Sequence, residues 1–263
     1  MTEQKNEEKK RKKVLELKNI SKSYADLTVL KDFNLTVYNR EISCLLGPSG
    51  SGKTTVFRAA SGLEEVDSGE VLIEDSVRSA FVFQEPRLLP WKTAEENLIF
   101  VQQNYELEDK AELRELLFNL SGLSEFKKSY PHQLSGGMKQ RLELIRALSI
   151  KPDLVFLDEP FKSLDMKTKY NLRKLITAIH RETEITIFLI THDPEEALLL
   201  GDRVYILAGE GEGIKREIEI SKSRKDRKIG DPDIYNMLEE IMAVFTDLVP
   251  EFDYQTKKLR DIY

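Results

Sequence analysis

Residues 41–55 read Glu41-Ile-Ser-Cys-Leu-Leu46-Gly47-Pro48-Ser49-Gly50-Ser51-Gly52-Lys53-Thr54-Thr55. A short apolar run gives way to a glycine-rich turn, and the turn opens a helical stretch, which is the context a genuine phosphate-binding loop requires. Glycines let the backbone come close to phosphate oxygens. The helix start adds free N–H groups and the positive end of its dipole. Lys53 is then placed to reach β- and γ-phosphates, and the Thr54 hydroxyl to hold Mg²⁺. The single cysteine, Cys44, lies inside the apolar run and reads as a buried strand thiol, so no disulfide or zinc framework exists.

Further short apolar runs bounded by turn residues predict strands at Val14–Ile20, Phe33–Val37, Glu41–Leu46, Val71–Ile73, Ala80–Phe83, Leu154–Leu157, Ile185–Ile190 and Val204–Leu207. Two of them, Leu154-Val-Phe-Leu157 and Ile185-Thr-Ile-Phe-Leu-Ile190, lack strict alternation, as strands covered on both faces of a parallel sheet do. Between these two, Leu172, Leu175, Ile176 and Ile179 mark one face of a crossover helix. Residues 91–149 replace strand signals with helical periodicity. There Leu113, Leu116, Leu117 and Leu120 predict a packed stripe that ends at Gly122.

Directly after Leu154–Leu157 come Asp158, Glu159 and Pro160. A parallel sheet puts the two carboxylates at its C-terminal edge, beside the glycine turn. Asp158 suits a metal held through water, and Glu159 suits the task of orienting or deprotonating an attacking water. A second glycine motif, Leu134-Ser135-Gly136-Gly137-Met138-Lys-Gln-Arg141, precedes Leu142, Ile145 and Leu148 and reads as an N-cap with a helix start facing an anion. One domain satisfies its nucleotide with the first loop. The second therefore makes most sense reading the nucleotide of a facing subunit.

At these residues the chain resembles the ATP-binding cassette ATPases, whose signature motif is LSGGQ-like, with Met138 where glutamine is commonest. The resemblance covers residues 14 to about 245 and implies an α/β fold: a P-loop NTPase core with a mainly parallel sheet, an N-terminal antiparallel β region and an inserted α-helical subdomain. It implies an ATPase domain over 14–220, with the nucleotide-binding core at 14–90 and 150–220 and the helical subdomain at 91–149. It also implies roles for single residues. Thr55 bonds the α-phosphate, Gln84 touches metal and water, His192 senses the γ-phosphate, Tyr24 stacks on adenine, and Asp165 in Ser163-Leu164-Asp165 reaches across the dimer. Ser135, Gly136 and Gly137 complete the partner's site. His132 and His180 lack such context and read as surface or packing residues.

Composition narrows the setting. With 263 residues the chain holds one cassette, and its net charge of −6 argues against a broad nucleic-acid surface. No run reaches the roughly 18 apolar residues that cross a bilayer, so the expectation is a cytoplasmic protein unless a partner holds it at a membrane, and the resemblance implies a permease that holds it on the inner face. Residues 1–13 read as a disordered charged tail. Residues 221–263 read as a charged linker, Lys222–Lys228, followed by a helix capped at Asp231-Pro232 with Ile234, Leu238, Ile241 and Phe245 on one stripe.

The stretch Phe83-Gln84-Glu85-Pro86-Arg87-Leu88-Leu89-Pro90-Trp91 is similar to that of importers for nitrate, sulfonate, taurine and related solutes, where it lies beside the permease's coupling helix. The segment Arg216–Ile220 with Arg224 and Arg227 is similar to the same subgroup's C-terminal part. Three features depart from the pattern: a short stretch between Glu74 and Ala80, Lys162 in place of glycine, and Glu143 in place of a small residue. The resemblance implies a homodimer around two ATP with Mg²⁺, a transmembrane permease and, indirectly, an extracytoplasmic solute-binding protein, with no nucleic acid. The rival readings are a soluble cassette that scaffolds assembly and one that serves nucleic-acid maintenance.

Overall fold

The computed structural model describes residues 12–248 with residue 210 excepted; residues 1–11 of the expected tail and residues 249–263 of the expected C-terminal extension lie outside the described residues. The run Ile42–Leu46 forms β3, buried at every position. It sits inside a six-stranded sheet of order β5-β6-β7-β3-β8-β9, where β5 is Ser79–Val82, β6 Leu154–Asp158, β7 Thr186–Thr191, β8 Arg203–Leu207 and β9 Ile214–Glu219. All neighbours are parallel except β8 and β9. Side chains alternate across β3, so Cys44 and Leu46 enter one core while Leu45 enters the other.

On the Leu45 side lies α1, Lys53–Ala60, together with a three-stranded antiparallel sheet of order β2-β1-β4. Its strands are β1 Lys13–Tyr24, β2 Leu27–Tyr38 and β4 Ser68–Ile73. Leu15, Leu17, Ile20, Phe33 and Leu35 from this sheet pack with Phe57, Phe156 and Phe188. Phe156 meets Phe57 edge-on at 5.7 Å between centroids and Phe188 at 6.1 Å. The opposite face is covered by α4 Gly136–Leu148, α5 Met166–Thr183, α6 Pro194–Leu200 and α7 Pro232–Leu248. Helices α2, Ala94–Gln102, and α3, Lys110–Ser121, join α4 in a helical subdomain. Among the described residues no helix is long and apolar enough to cross a membrane.

The crossover face Leu172, Leu175, Ile176 and Ile179 is buried as its spacing predicts. Three readings need correction. In α3 the packed stripe is Leu113, Leu117, Phe118 and Ser121, while Leu116 is 54% and Leu120 50% exposed. The face that meets α4 is turned away from the one the leucine spacing marks. The charged segment Arg216–Glu219 is part of β9, an edge strand missed because Ile218 alone among those residues is buried. Its carboxylates Glu217 and Glu219 pair across the ladder with Arg203.

The third correction concerns Lys222–Lys228, which is no loose linker. Arg227 is buried; its guanidinium donates to the carbonyls of Leu198 at 3.0 Å, Gly201 at 2.5 Å, Lys222 at 2.8 Å and Ile220 at 3.4 Å. Arg224 donates to Leu200 O at 2.6 Å and pairs with Asp202. Burial and the adjacent Arg224 push the buried His180 imidazole down to about 4, so it is neutral at pH 7. The carbonyls left open at the end of α6 and after β9 are what the arginines satisfy, and charge patterning alone does not reveal them. Replacing Arg227 by Ala strands several buried acceptors and is expected to cost roughly 3 kcal/mol of stability. The urea-denaturation midpoint should drop accordingly; an unchanged midpoint would contradict this anchor.

Candidate functional site

Because β3 is central and parallel to its neighbours, the chain leaves it at the sheet's C-terminal edge and turns through Gly47–Gly52 into α1. Gly52 takes φ 92° at the helix start, a conformation that L side chains resist. No side chain caps α1, so its first-turn N–H groups have no side-chain acceptor. Ser51 Oγ is buried without a partner. Lys53, 6% exposed, folds back and donates its ammonium to Gly47 O at 2.8 Å and Pro48 O at 2.7 Å. Burial pulls its pKa below the ordinary lysine value, against the opposing pull of Glu159 and Asp158. Pro48, Ser49, Gly50 and exposed Thr54 line the turn, and Thr55 is buried beneath it.

Two strands away, β6 delivers Asp158 in register with Ile190 of β7. Burial holds the Asp158 carboxyl above the usual range and Glu159 adds to this, while Arg58, Lys162 and Lys53 oppose it. Glu159 has φ 43°, strained for a residue with a side chain, and its N–H donates to Ile190 O at 3.0 Å. Its Oε2 is buried and lies 3.2 Å from Lys162 Nζ and 3.3 Å from His192 Nδ1, neither aligned as a hydrogen bond. His192 follows β7 directly, and Asp193 caps α6 by accepting from Glu195 N at 2.9 Å. Lys53, Asp158, Glu159 and His192 thus converge at one sheet edge.

Gln84 follows β5 and is exposed, bordering a cleft of about 750 Å³ with Arg58, Glu64, Arg87 and Asp158. Tyr24 ends β1 with its ring 41% exposed, and its hydroxyl donates to Glu64 Oε1 at 2.5 Å. Glu64 is a participant that sequence reasoning missed. Forty positions separate it from Tyr24, and no local pattern marks the pair.

The second glycine motif lies elsewhere. Ser135 caps α4, its Oγ accepting from Met138 N at 3.3 Å. Gly136 has open space, but a Cβ on Gly137 would stand 2.3 Å from Thr168 Cγ2. Thr168 in turn donates its hydroxyl to Asp165 Oδ2 at 2.6 Å and its N–H to Oδ1 at 3.0 Å, capping α5 and holding Asp165 below the usual carboxylate range. The structure therefore joins Ser135–Gly137 to Asp165 through Thr168. No hydrogen bond or ion pair among the described residues links this group to Gly47–Thr55.

A strand, a glycine turn, a helix and two carboxylates ending a neighbouring strand define a P-loop nucleotide-hydrolase core. Known proteins agree. The family model for ABC transporter matches residues 30–162. An aliphatic sulfonates import ATP-binding protein of Pseudomonas syringae pv. tomato is 41% identical over 79% of this chain and 88% of its own. A sulfate/thiosulfate import ATP-binding protein of Halalkalibacterium halodurans is 36% identical over 92% and 71%. The ATP-binding cassette MJ0796, solved as a dimer in a post-hydrolysis state bound to ADP and Pi, superposes with a TM-score of 0.69 at 30% identity, covering 80% of this chain and 100% of that one. The chain belongs to the ABC transporter family as an ATP-binding cassette subunit, closely related to sulfate- and sulfonate-type importer ATPases.

The tight approach at Gly137 has a measurable consequence. Gly137→Ala is expected to cost about 1–3 kcal/mol through overpacking, and Thr168→Ser, which removes Cγ2 while keeping the Asp165 cap, should restore most of the loss. Denaturant melts of the single and double variants read this directly; equal destabilisation in both would count against the contact.

Proposed function

We propose that the chain is the ATP-hydrolysing subunit of an importer and works as a homodimer around two ATP. The observation that carries this is the split just described. Lys53, Asp158, Glu159 and His192 gather at one edge, while Ser135 and Gly137 stand unconnected to them, so the serine-glycine turn is free to complete the site of a facing copy. The relative solved as a dimer supports the same reading.

The turn suits a polyphosphate: an uncapped helix start, an orphaned Ser51 hydroxyl and a lysine now spent on its own carbonyls are donors without an anion. Lys53 would leave Gly47 O and Pro48 O for the β- and γ-phosphates, and Thr55 would bond the α-phosphate. Thr54, Asp158 and Gln84 would hold Mg²⁺, an oxygen donor set that suits this cation. The ion, when bound, supplies charge neutralisation at the β- and γ-oxygens. Glu159 would orient the attacking water and accept its proton, a task its buried and unbonded Oε2 fits. His192 would donate to the γ-phosphate, and Tyr24, anchored by Glu64, would offer its exposed face to adenine. Asp165, already committed to Thr168, would act across the dimer by fixing the start of α5 against Gly137.

A transmembrane permease would dock beside Gln84–Trp91, where Trp91 is 70% exposed, and hold the cassette on the inner face of the membrane. The names of the sulfonate and sulfate relatives support a small anionic solute, and an extracytoplasmic binding protein would deliver it. Domain closure would move the helical subdomain against the core and drive alternating access.

Glu159→Gln is expected to bind ATP, lose about 10²–10⁴-fold in turnover and accumulate as an ATP-bound dimer, read by phosphate release and size-exclusion chromatography. Full turnover would remove Glu159 from this role. Lys53→Ala should instead abolish binding of a fluorescent ATP analogue; retained affinity would reject the phosphate-loop assignment. Purification from detergent-solubilised membranes should recover a permease, and recovery of soluble proteins alone would defeat the importer reading.

A further inference from the structure

The segment that carries Gln84 is held at two ends by different parts of the molecule. On the core side, Phe83 packs with Phe81 and Phe57 in the aromatic cluster below the P-loop helix. On the other side, the backbone at Arg87 is gripped by α4. Arg146 donates from Nη1 to Arg87 O at 2.7 Å and from Nη2 to Glu143 Oε1 at 2.9 Å. Glu143 is completely buried, and its second oxygen lies 2.8 Å from the same Nη2. Burial raises the Glu143 carboxyl, while Arg146 and the Arg87 N–H pull it back. Two residues further, Asn97 of α2, also fully buried, accepts from Leu89 N at 2.8 Å and donates to Leu89 O at 3.3 Å. Between these anchors Gln84 and Glu85 are exposed and make no hydrogen bond among the described residues.

We propose that Glu143 and Arg146 are positioning residues for the hydrolysis site: from the flank of α4 they fix the backbone at Arg87 and so set where Gln84 stands against Asp158. The proposal rests on the ATPase reading above, in which Gln84 meets the metal and the water. Burying a carboxylate at this helix position is costly, and apolar side chains of similar volume in place of the pair would avoid that cost. What the carboxylate adds is a fixed Arg146, whose planar fork reaches Glu143 with one arm and the Arg87 carbonyl with the other. The same helix is capped by Ser135, about 16 Å along its axis from Arg146. A shift of α4 that follows engagement of the serine-glycine turn is thereby passed to Arg87 and on to Gln84, with Phe83 as the fixed point.

Arg146→Lys tests this, because a lysine keeps the cation beside Glu143 and loses the second arm. ATP turnover in the full-length protein should fall about tenfold in kcat, with KM for ATP changed by less than about twofold. In a Gln84→Ala background, assayed at high enzyme concentration, the same substitution should change kcat by less than about twofold, since a residue acting through Gln84 has nothing left to place. Amide hydrogen exchange of residues 85–89, measured without nucleotide, should speed up in Arg146→Lys while that of Lys53–Ala60 stays the same. Glu143→Gln, which still accepts from Arg146, should retain most of the turnover. An equal loss of kcat in both backgrounds, or unchanged exchange over 85–89, would overturn the proposal. Absence of turnover in the parent protein would overturn the ATPase reading itself, and the exchange measurement would still decide whether the clamp holds the segment.

Discussion

Everything at the site depends on β3 being buried on both faces and flanked by parallel strands. Five consecutive buried residues, Ile42–Leu46, cannot change direction until the sheet ends, so the chain releases all its turn residues at one edge. Parallel register then delivers the neighbours to the same edge. Leu46 is level with Thr191 and with Ile206, and Asp158 is level with Ile190. The glycine turn, the carboxylates and His192 meet there because the hydrogen-bond ladder leaves them no other place. A helix that begins at such an edge without a cap is a local concentration of unpaired donors. Glycine at position 52 takes its positive φ without strain, whereas the positive φ at Glu159 is backbone strain that the edge tolerates beside the paired carboxylates.

Around this edge the packing falls into two buried clusters, one on each face of the main sheet. The aromatic cluster Phe57, Phe81, Phe83 and Phe156 ties the phosphate helix, β5 and β6 into one body. The helical subdomain shares the other cluster: Leu98, Leu117, Phe118 and Leu142 are buried in one core with Ile42, Leu46, Val155 and Leu157 of the sheet. Polar contacts make the joints between them: Arg146 to Arg87, Asn97 to Leu89, and Thr168 between Gly137 and Asp165. Hydrogen bonds of this kind fix direction and register over short distances, whereas apolar faces allow sliding. The arginines at 224 and 227 fasten the segment that leads into α7 to the end of α6 in the same manner.

Much of this was legible in the order of residues. The buried strands announced themselves as unbroken apolar runs, α5 by its four spaced apolar positions, and the ends of α3 and α6 by Gly122 and Asp193. The candidate site was legible where its chemistry is local: Gly47–Thr55, Asp158-Glu159 and Ser135–Gly137 each sit on contiguous residues whose types have few other uses together. Where apolar spacing did not match the face that meets a neighbour, as at Leu116 and Leu120, the expectation failed. The edge strand β9 escaped because its charges pair across the ladder with Arg203, a partner that no pattern within the strand reveals.

The amino-acid sequence by itself determined the identities of the phosphate turn, the carboxylate pair and the capped helix starts, because short-range sterics, hydrogen bonding and periodicity are set within a few residues. Only the tertiary structure decided that Glu64 holds Tyr24, that Gly137 must be glycine because Thr168 lies against it, that Arg227 is buried among carbonyls, and that Glu143 and Arg146 grip the chain at Arg87. Tyr24 and Glu64, Gly137 and Thr168, Arg227 and Leu198, and Arg146 and Arg87 each lie 20 or more positions apart, and such pairs are selected by the packing of whole elements, a cooperative outcome that no single stretch of chain encodes.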